Sequence, residues 1–196
     1  MKKICVFCGS SKGILPAYSS EAIRLADVLV KKNIGLVYGG ANIGLMKVIA
    51  NRVLEGGGEV SGVMPGKLAD REILHDQLTD TIIVKDMQER KRIMEELSDG
   101  FITMPGGFGT MDELFEMLSW NQLGQIHKPV GIFNIEGYYD SLIKWLDHAV
   151  EMKFVRPEHR ANVLESNDPF LLVEKMTKYK GLVAENWVDR LKEIGY

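Results

Sequence analysis

The chain of 196 residues is about the size of one domain, so it can bury a full core without disulfides or metal ions. A net charge of −3, with 26% charged residues, lacks the basic excess of a general nucleic-acid binder and predicts no DNA or RNA partner. The start MKKICVFCGSS has no apolar stretch of signal-peptide length, and no apolar run approaches the roughly 20 residues that span a membrane, so we expect a cytoplasmic protein with no membrane partner.

Short apolar segments alternate with longer helical patterns along the chain. Strands are predicted at residues 3–7, 35–38, 59–64, 81–84, 101–104, 129–133 and 162–164. Helices are predicted at residues 17–31, 43–54, 87–98, 111–123, 138–152, 169–179 and 185–194. This alternation predicts an α/β fold: a Rossmann-like, doubly wound, mostly parallel sheet of about seven strands with helices on both faces. We expect a single nucleotide-monophosphate-binding domain over residues 1–196.

Three of the predicted strands end in loops suited to a ligand. They are CGSS at residues 8–11, YGGANIGLM at 38–46 and PGGFGT at 105–110. Open sheets of this kind bind ligands at the carboxyl ends of their strands, where the strand order reverses. A glycine-rich turn before a helix also presents bare N–H groups and the positive end of the helix dipole, which attract an anion. The three loops therefore indicate a crevice for a nucleotide or a sugar phosphate.

The standard motifs for nucleotides and metals are missing. The chain has no GxxxxGK[ST], and neither glycine loop matches GxGxxG with an acidic residue about 20 positions on. Cys5 and Cys8 form a CxxC inside the apolar run ICVFC without a second pair, which favours buried strand residues over a zinc site. The histidines have no ligand spacing and are interpreted as surface or packing residues: His75, His127, His148 and His159. We therefore expect no metal site.

Glu113 allows two interpretations. Thr110 and Glu113 have the T-x-x-E spacing of a capping box, in which the glutamate side chain binds the N-terminal N–H groups of its own helix. The alternative is chemical, because the same helix places Glu113 close to any anion that the glycine turn binds. The local sequence leaves both interpretations open.

Arg90 differs from the basic residues beside it. Lys91 and Arg92 each have a glutamate four residues further on, which is typical of a solvated helix face with ion pairs. Arg90 has Met87 three residues before it and Met94 four residues after it, so its guanidinium should emerge on the buried side of the helix. A buried arginine needs an anionic partner, which is either a carboxylate in a structural ion pair or a ligand phosphate.

The motifs MQERK at residues 87–91 and PGGFGTMDE at 105–113 resemble the Lonely Guy family of cytokinin-activating phosphoribohydrolases, whose signature is PGGxGTxxE preceded by a methionine-x-x-Arg-Lys element. The likeness covers most of the chain, because CGSS, YGG, GLM, VMP, WNQLG and KPVGIFN all follow in the family's order. Ala41 and Lys47 stand where the family often has glycine, which affects the expected substrate preference more than the reaction class. The family's older label of lysine decarboxylase is not carried over, since nothing in the sequence suggests a pyridoxal phosphate site.

The resemblance implies hydrolysis of the N-glycosidic bond of a nucleoside 5′-monophosphate, such as an N6-modified adenosine 5′-monophosphate. The products are a free base, cytokinin or adenine, and ribose 5-phosphate, and no metal or organic cofactor takes part. The resemblance also implies a homodimer and a catalytic pair, Arg90 and Glu113. The substrate-binding residues that it implies are Ser10, Gly39, Gly40, Glu72, Met87, Lys91, Gly106, Gly107, Phe108, Gly109 and Thr110.

The sequence leaves two questions open. The first is whether Arg90 binds the phosphate or ribose of the substrate or instead orients Glu113. The second is whether the protein is an enzyme at all. The alternative is a non-catalytic carrier that holds a phosphorylated ligand, similar to molybdenum-cofactor carrier proteins, in which the same kind of glycine loop occurs.

Overall fold

The computed structural model of the protein describes residues 1–69 and 73–181. The strands are β1 (Lys3–Phe7), β2 (Gly35–Tyr38), β3 (Val60–Pro65), β4 (Asp80–Val84), β5 (Phe101–Thr103), β6 (Val130–Phe133) and β7 (Val163–Ser166). They form one parallel sheet in the order β4-β3-β2-β1-β5-β6-β7. The chain runs outward from β1 to one edge and then from β5 to the other, so the strand order reverses between β1 and β5.

Helices cover both faces of this sheet. They are α1 (Pro16–Lys31), α2 (Gly44–Glu55), α3 (Gly66–Leu68), α4 (Met87–Glu96), α5 (Phe108–Gln122), α6 (Asp140–Glu151), α7 (Pro157–Ala161) and α8 (Pro169–Thr177). One core cluster joins the sheet to α1, α2 and α8, and a second joins it to α4, α5 and α6. The inner strands β2 and β3 are buried at every residue, and apart from Ser61 in β3 they carry no charged or hydroxyl-bearing aliphatic side chain, whereas the edge strand β4 is largely exposed.

The start of α4 is fixed by its own side chains. Asp86 accepts the N–H of Glu89 at 2.8 Å, and the Glu89 carboxylate accepts the N–H of Lys85 at 2.8 Å. Such reciprocal caps satisfy N–H groups that have no partner inside the helix. The cap therefore sets the turn of α4 on which Arg90 lies.

The predicted fold is confirmed. All seven predicted strands are present, with ends that differ by at most two residues, and six predicted helices correspond to α1, α2, α4, α5, α6 and α8. The start of α5 is an exception, because this helix begins three residues before the predicted position. The predicted helix at 185–194 lies outside the described residues, and the sequence pattern does not predict the short α7. None of the helices in the described ranges is long and apolar enough to cross a bilayer.

Candidate active site

A crevice of about 270 Å³ lies at the carboxyl edge of the sheet, between the ends of β1 and β5. The residues that follow β1, β2 and β5 line it, together with the first turns of α4 and α5. Open α/β sheets bind ligands at this point of strand reversal. The sequence-predicted site residues that line the crevice are Ser10, Gly39, Met87, Arg90, Gly107, Phe108, Gly109, Thr110 and Glu113. Larger surface depressions, of about 830 and 620 Å³, lie elsewhere and contain neither Arg90 nor Glu113.

Three predicted site residues, Gly40, Gly106 and Lys91, lie outside this lining, and one cannot be placed. Gly40 is buried, and its carbonyl accepts the N–H of His75 at 3.0 Å. Gly106 forms the base of the turn after β5, where it contacts Thr110. Glu72 lies outside the described residues.

Helix α5 begins inside the glycine turn. Phe108 is its first residue and Gly107 occupies the cap position, with no side chain binding the helix terminus. Thr110 is therefore the third helical residue, buried rather than capping, and Glu113 lies in the second turn. The capping-box interpretation is wrong, because the glycines themselves take up the helical conformation and move the cap three residues earlier. Glu113 therefore does not cap the N-terminus of α5.

The turn presents a row of unused backbone donors. Among the described residues, no acceptor contacts the N–H groups of Gly106, Gly107, Phe108, Gly109 or Thr110. These groups stand at the N-terminus of a 15-residue helix, where the helix dipole adds positive potential. Consecutive free N–H groups at such a terminus form an anion-binding site, and phosphate is a typical occupant.

Gly107 and Gly109 are not required by the packing of the protein. A Cβ atom built at either position meets no atom within 4 Å, and neither residue has a positive φ angle. Gly106 differs, because a Cβ there would lie 2.1 Å from Oγ1 of Thr110. The open space above Gly107 and Gly109 is therefore space in the crevice, where a bound group can come close to the backbone.

Arg90 enters the crevice from α4 without a carboxylate partner. Its Nε donates to the carbonyl of Val63 at 3.0 Å, and its Nη2 donates to the carbonyl of Gly39 at 2.9 Å. Its Nη1 lies 3.8 Å from Sδ of Met87, and within the described ranges no ion pair of Arg90 is found. A Cβ at position 39 would lie 1.7 Å from Nη2, so glycine is needed there for the guanidinium to fit. The positive charge is held in place by carbonyl groups and makes no ion pair with a described carboxylate.

Glu113 faces this arginine across the crevice wall. Burial raises the pKa of Glu113 to about 7; the charge of Arg90 opposes the rise, and that of Asp112 adds to it. The Glu113 carboxyl makes no hydrogen bond or ion pair with any described residue. A carboxyl group with a pKa near neutrality, free to meet a ligand, is suited to proton transfer or to the stabilisation of a developing positive charge.

Lys91 forms its ion pairs with residues of α5 rather than with residues of its own helix, α4. Its ammonium lies 3.1 Å from carboxylate oxygens of both Asp112 and Glu116, and its side chain is 12% exposed. The predicted helical pairing with Glu95 is wrong, since Glu95 instead contacts Lys128 at 2.5 Å. Burial lowers the pKa of Lys91, but the two carboxylates outweigh that effect and the pKa is raised. Lys91 thus joins α4 to α5 next to the crevice.

Some residues around the crevice escaped the sequence analysis. Tyr138 and Tyr139 donate hydrogen bonds to carbonyls of the glycine turn, and only their place after β6, at the carboxyl edge of the sheet, could have indicated this. Cys8 and Met46 line the crevice. Burial raises the pKa of the Cys8 thiol, which makes it an unreactive wall residue, in agreement with the structural interpretation of both cysteines. Over the described residues, no group of three His, Cys, Asp or Glu side chains could hold a metal ion.

The fold and the crevice together define a Rossmann-like protein with an anion-binding turn beside an unpaired arginine and a carboxyl group of raised pKa. A family model described as "possible lysine decarboxylase" matches residues 46–176. The cytokinin riboside 5′-monophosphate phosphoribohydrolase LOG1 of Arabidopsis thaliana is 47% identical over 178 residues, which are 91% of this chain and 84% of that protein. LOG5 of the same plant is 43% identical over 98% of this chain and 86% of its own length. The chain therefore belongs to the Lonely Guy family of phosphoribohydrolases.

Solved structures of molybdenum cofactor carrier proteins share the fold. The molybdenum cofactor carrier protein of Chlamydomonas reinhardtii superposes with a TM-score of 0.67, at 18% identity, over 90% of this chain and 98% of that one. At this identity the likeness shows the architecture alone.

Proposed function

We propose that the protein hydrolyses the N-glycosidic bond of nucleoside 5′-monophosphates, with N6-modified adenosine 5′-monophosphates as the substrate class. The products are the free base and ribose 5-phosphate. The names of the 43–47% identical relatives support this activity. The observation that carries it is the arrangement around Arg90: a guanidinium fixed by two carbonyls, without an ion pair among the described residues, beside a free carboxyl group and a row of free N–H donors.

The substrate would be bound mainly through its phosphate. The N–H groups of residues 106–110 receive the 5′-phosphate, and the open space above Gly107 and Gly109 lets its oxygens approach the backbone. The hydroxyl of Thr110 adds a further donor at the same helix terminus. This anchoring positions the ribose between α4 and α5, so binding energy from the phosphate is used to orient the bond that breaks.

The chemistry then falls to Glu113. As the C1′–N bond breaks, the base leaves with the bonding electron pair and positive charge develops on the ribose. An ionised Glu113 carboxylate stabilises this charge and accepts a proton from the water molecule that attacks C1′. The leaving base takes up a proton, so the products are the neutral base and ribose 5-phosphate. Among the side chains that the structure describes, Arg90 has no bond to Glu113, so we assign it to the phosphate or ribose of the substrate rather than to the orientation of the carboxylate.

A non-catalytic carrier is the alternative function. A carrier requires phosphate donors but has no need of an unbonded carboxyl group of raised pKa beside them. We also propose that the protein is a homodimer, as the resemblance implies, and that it is cytoplasmic, as expected from the sequence. The exposed aromatic side chains of Trp145 in α6 and of Phe154 just after it support a self-association that sedimentation analysis would test.

An assay of base release tests the function directly. Purified protein is incubated with AMP and isopentenyladenosine monophosphate, each beside its dephosphorylated nucleoside, and free base is measured by HPLC. We expect base from the monophosphates only, and a loss of roughly 10²-fold or more in turnover for Glu113→Gln. Glu96→Gln, on the outer face of α4, is the matched control and should behave like the wild type. Base release from nucleosides at the same rate would refute the role of the phosphate, and no release from any substrate would favour the carrier.

A further inference from the structure

We propose that Tyr138 is a positioning residue for the glycine turn: its hydroxyl holds the carbonyl of Gly106 and thereby directs the N–H of Gly107 towards the bound anion. The inference rests on the proposed function of the crevice as a phosphate site. Tyr138 does not line the crevice, so it acts through the backbone and not by contact with the ligand.

The contact is short and well supported. Oη of Tyr138 donates to the carbonyl oxygen of Gly106 at 2.6 Å. The ring of Tyr138 packs edge-on against Tyr18, with ring centroids 5.8 Å apart, and against Tyr139, with centroids 4.8 Å apart. These two aromatic neighbours fix the ring in place, so the hydroxyl reaches the turn from a rigid support although the side chain is 45% exposed.

The orientation of one peptide follows from this bond. In a planar trans peptide the C=O and the following N–H point in opposite directions. A donor that fixes the Gly106 carbonyl on one side therefore fixes the Gly107 N–H on the other. Gly107 lines the crevice and occupies the cap position of α5, so its N–H is among the free donors described above.

The other carbonyls of the turn are held in the same way. Tyr139 donates to the carbonyl of Met104 at 2.6 Å, Gly9 donates its N–H to that of Pro105 at 3.0 Å, and Met111 donates its N–H to that of Gly107 at 3.1 Å. Every carbonyl from Met104 to Gly107 thus has a donor within the protein.

Tyr139 provides a matched control for this proposal. Its hydroxyl makes a bond of the same type and length, but the peptide that it fixes joins Met104 to Pro105, whose nitrogen carries no hydrogen. Loss of the Tyr139 hydroxyl therefore cannot misdirect an N–H donor at that peptide. Tyr139 is 2% exposed, so its removal leaves a buried carbonyl unsatisfied and should lower the melting temperature more than the change at Tyr138.

The test measures the binding of ribose 5-phosphate and of inorganic phosphate by titration calorimetry. For Tyr138→Phe we expect the dissociation constants of both ligands to rise roughly 5- to 30-fold, the value of one hydrogen bond beside a charge, with a nearly unchanged melting temperature. For Tyr139→Phe we expect unchanged dissociation constants and a lower melting temperature. If Tyr138→Phe binds both ligands as the wild type does, or if both variants lose affinity equally, the proposal is overturned.

The same measurement separates this proposal from the proposed function. Binding of ribose 5-phosphate needs no turnover, so a wild type that binds it but releases no base contradicts the phosphoribohydrolase while the role of Tyr138 can still be measured. A wild type that releases base from monophosphates but binds neither ligand overturns the phosphate site at the turn, and with it the role of Tyr138. In an active enzyme, the variant should lower kcat/KM for AMP by a factor similar to its loss of affinity for ribose 5-phosphate, an agreement that a general loss of folded protein would not produce.

Discussion

Two partly buried arginines lie in different parts of this molecule, and their surroundings differ. Arg160, near the outer edge of the sheet, contacts Asp147 at 2.6 Å and Glu165 at 3.4 Å, with its side chain 17% exposed. Arg90, at the crevice, contacts only the carbonyls of Gly39 and Val63 and the sulfur of Met87 among the described residues. Burial of a positive charge is common to both, so burial does not mark a functional site. The absence of a direct ion pair does, because it leaves the hydrogen-bonding capacity of the guanidinium for a ligand to complete.

The largest expected effect comes from removing each arginine in turn. Arg90→Gln should lower kcat/KM for monophosphates by roughly 10²- to 10³-fold, because a charge-assisted contact to the substrate is lost. Arg160→Gln should leave kcat/KM within about twofold but reduce the melting temperature by about 2–4 °C, since it loses two carboxylate contacts near the surface. Steady-state kinetics and thermal unfolding of both variants measure this. Equal losses of activity would show that the two arginines do not differ in role.

The pH dependence of Glu113 provides a second, smaller effect. With a pKa of about 7, Glu113 is ionised above neutrality, so kcat/KM should rise through pH 7, by up to tenfold per unit on the acid side. Glu113→Gln should remove this limb of the profile.

Stability should respond to pH in the opposite sense. A carboxyl whose folded pKa is raised stabilises the fold below its unfolded pKa, and this contribution is lost as the pH rises through the folded value. The free energy of unfolding should therefore fall between pH 5 and pH 8, by up to about 3 kcal/mol from this group, and less in Glu113→Gln. Urea denaturation at the two pH values measures it. An activity profile that is flat across pH 7, with unchanged stability, would contradict the proton-transfer role.

The smallest effects concern the turn itself. Gly109→Ala should bind ribose 5-phosphate about three- to tenfold more weakly, because the added methyl group occupies crevice space, while the protein becomes more stable by about 0.5–1 kcal/mol through helix propensity. Gly106→Ala should be less stable than the wild type, because its Cβ would lie 2.1 Å from Oγ1 of Thr110. Melting temperatures and binding titrations distinguish the two. A Gly109→Ala variant with full affinity would mean that no ligand group approaches that part of the backbone.

The sequence predicted the architecture well, since the strands are short, apolar and regularly separated. It also predicted correctly that Arg90 emerges on the inner side of α4, because the spacing to Met94 is a property of the helix alone. It could not predict the partners of Arg90, which are carbonyls 27 and 51 residues away in the chain. The predicted ion pair of Lys91 was wrong for a similar reason: its partners are two carboxylates of α5, distant in the sequence, and not the glutamate on its own helix.

The start of α5 shows a different limit. The spacing of Thr110 and Glu113 fits a capping box, but a cap forms only where the chain enters the helix, and that point is decided by the glycines before it. Because α5 begins three residues earlier than predicted, Glu113 lies in its second turn and cannot cap the helix. Tyr138 was missed because its bond is made to a backbone atom, which leaves no trace in the identity of the residue that accepts it.

The fit between Gly39 and Arg90 also constrains how this protein can change over generations. Any side chain at position 39 would clash with Nη2 of Arg90, since even a methyl group would lie 1.7 Å from that atom. A single substitution at position 39 therefore displaces the guanidinium although Arg90 itself is unchanged. Once Arg90 has been replaced by a small residue, position 39 is released from this restriction, and the nearest remaining atom that a Cβ would meet is Sδ of Met46, at 3.3 Å. A substitution at either position alone is therefore expected to abolish activity. A variant that has changed at both positions needs two substitutions to regain it.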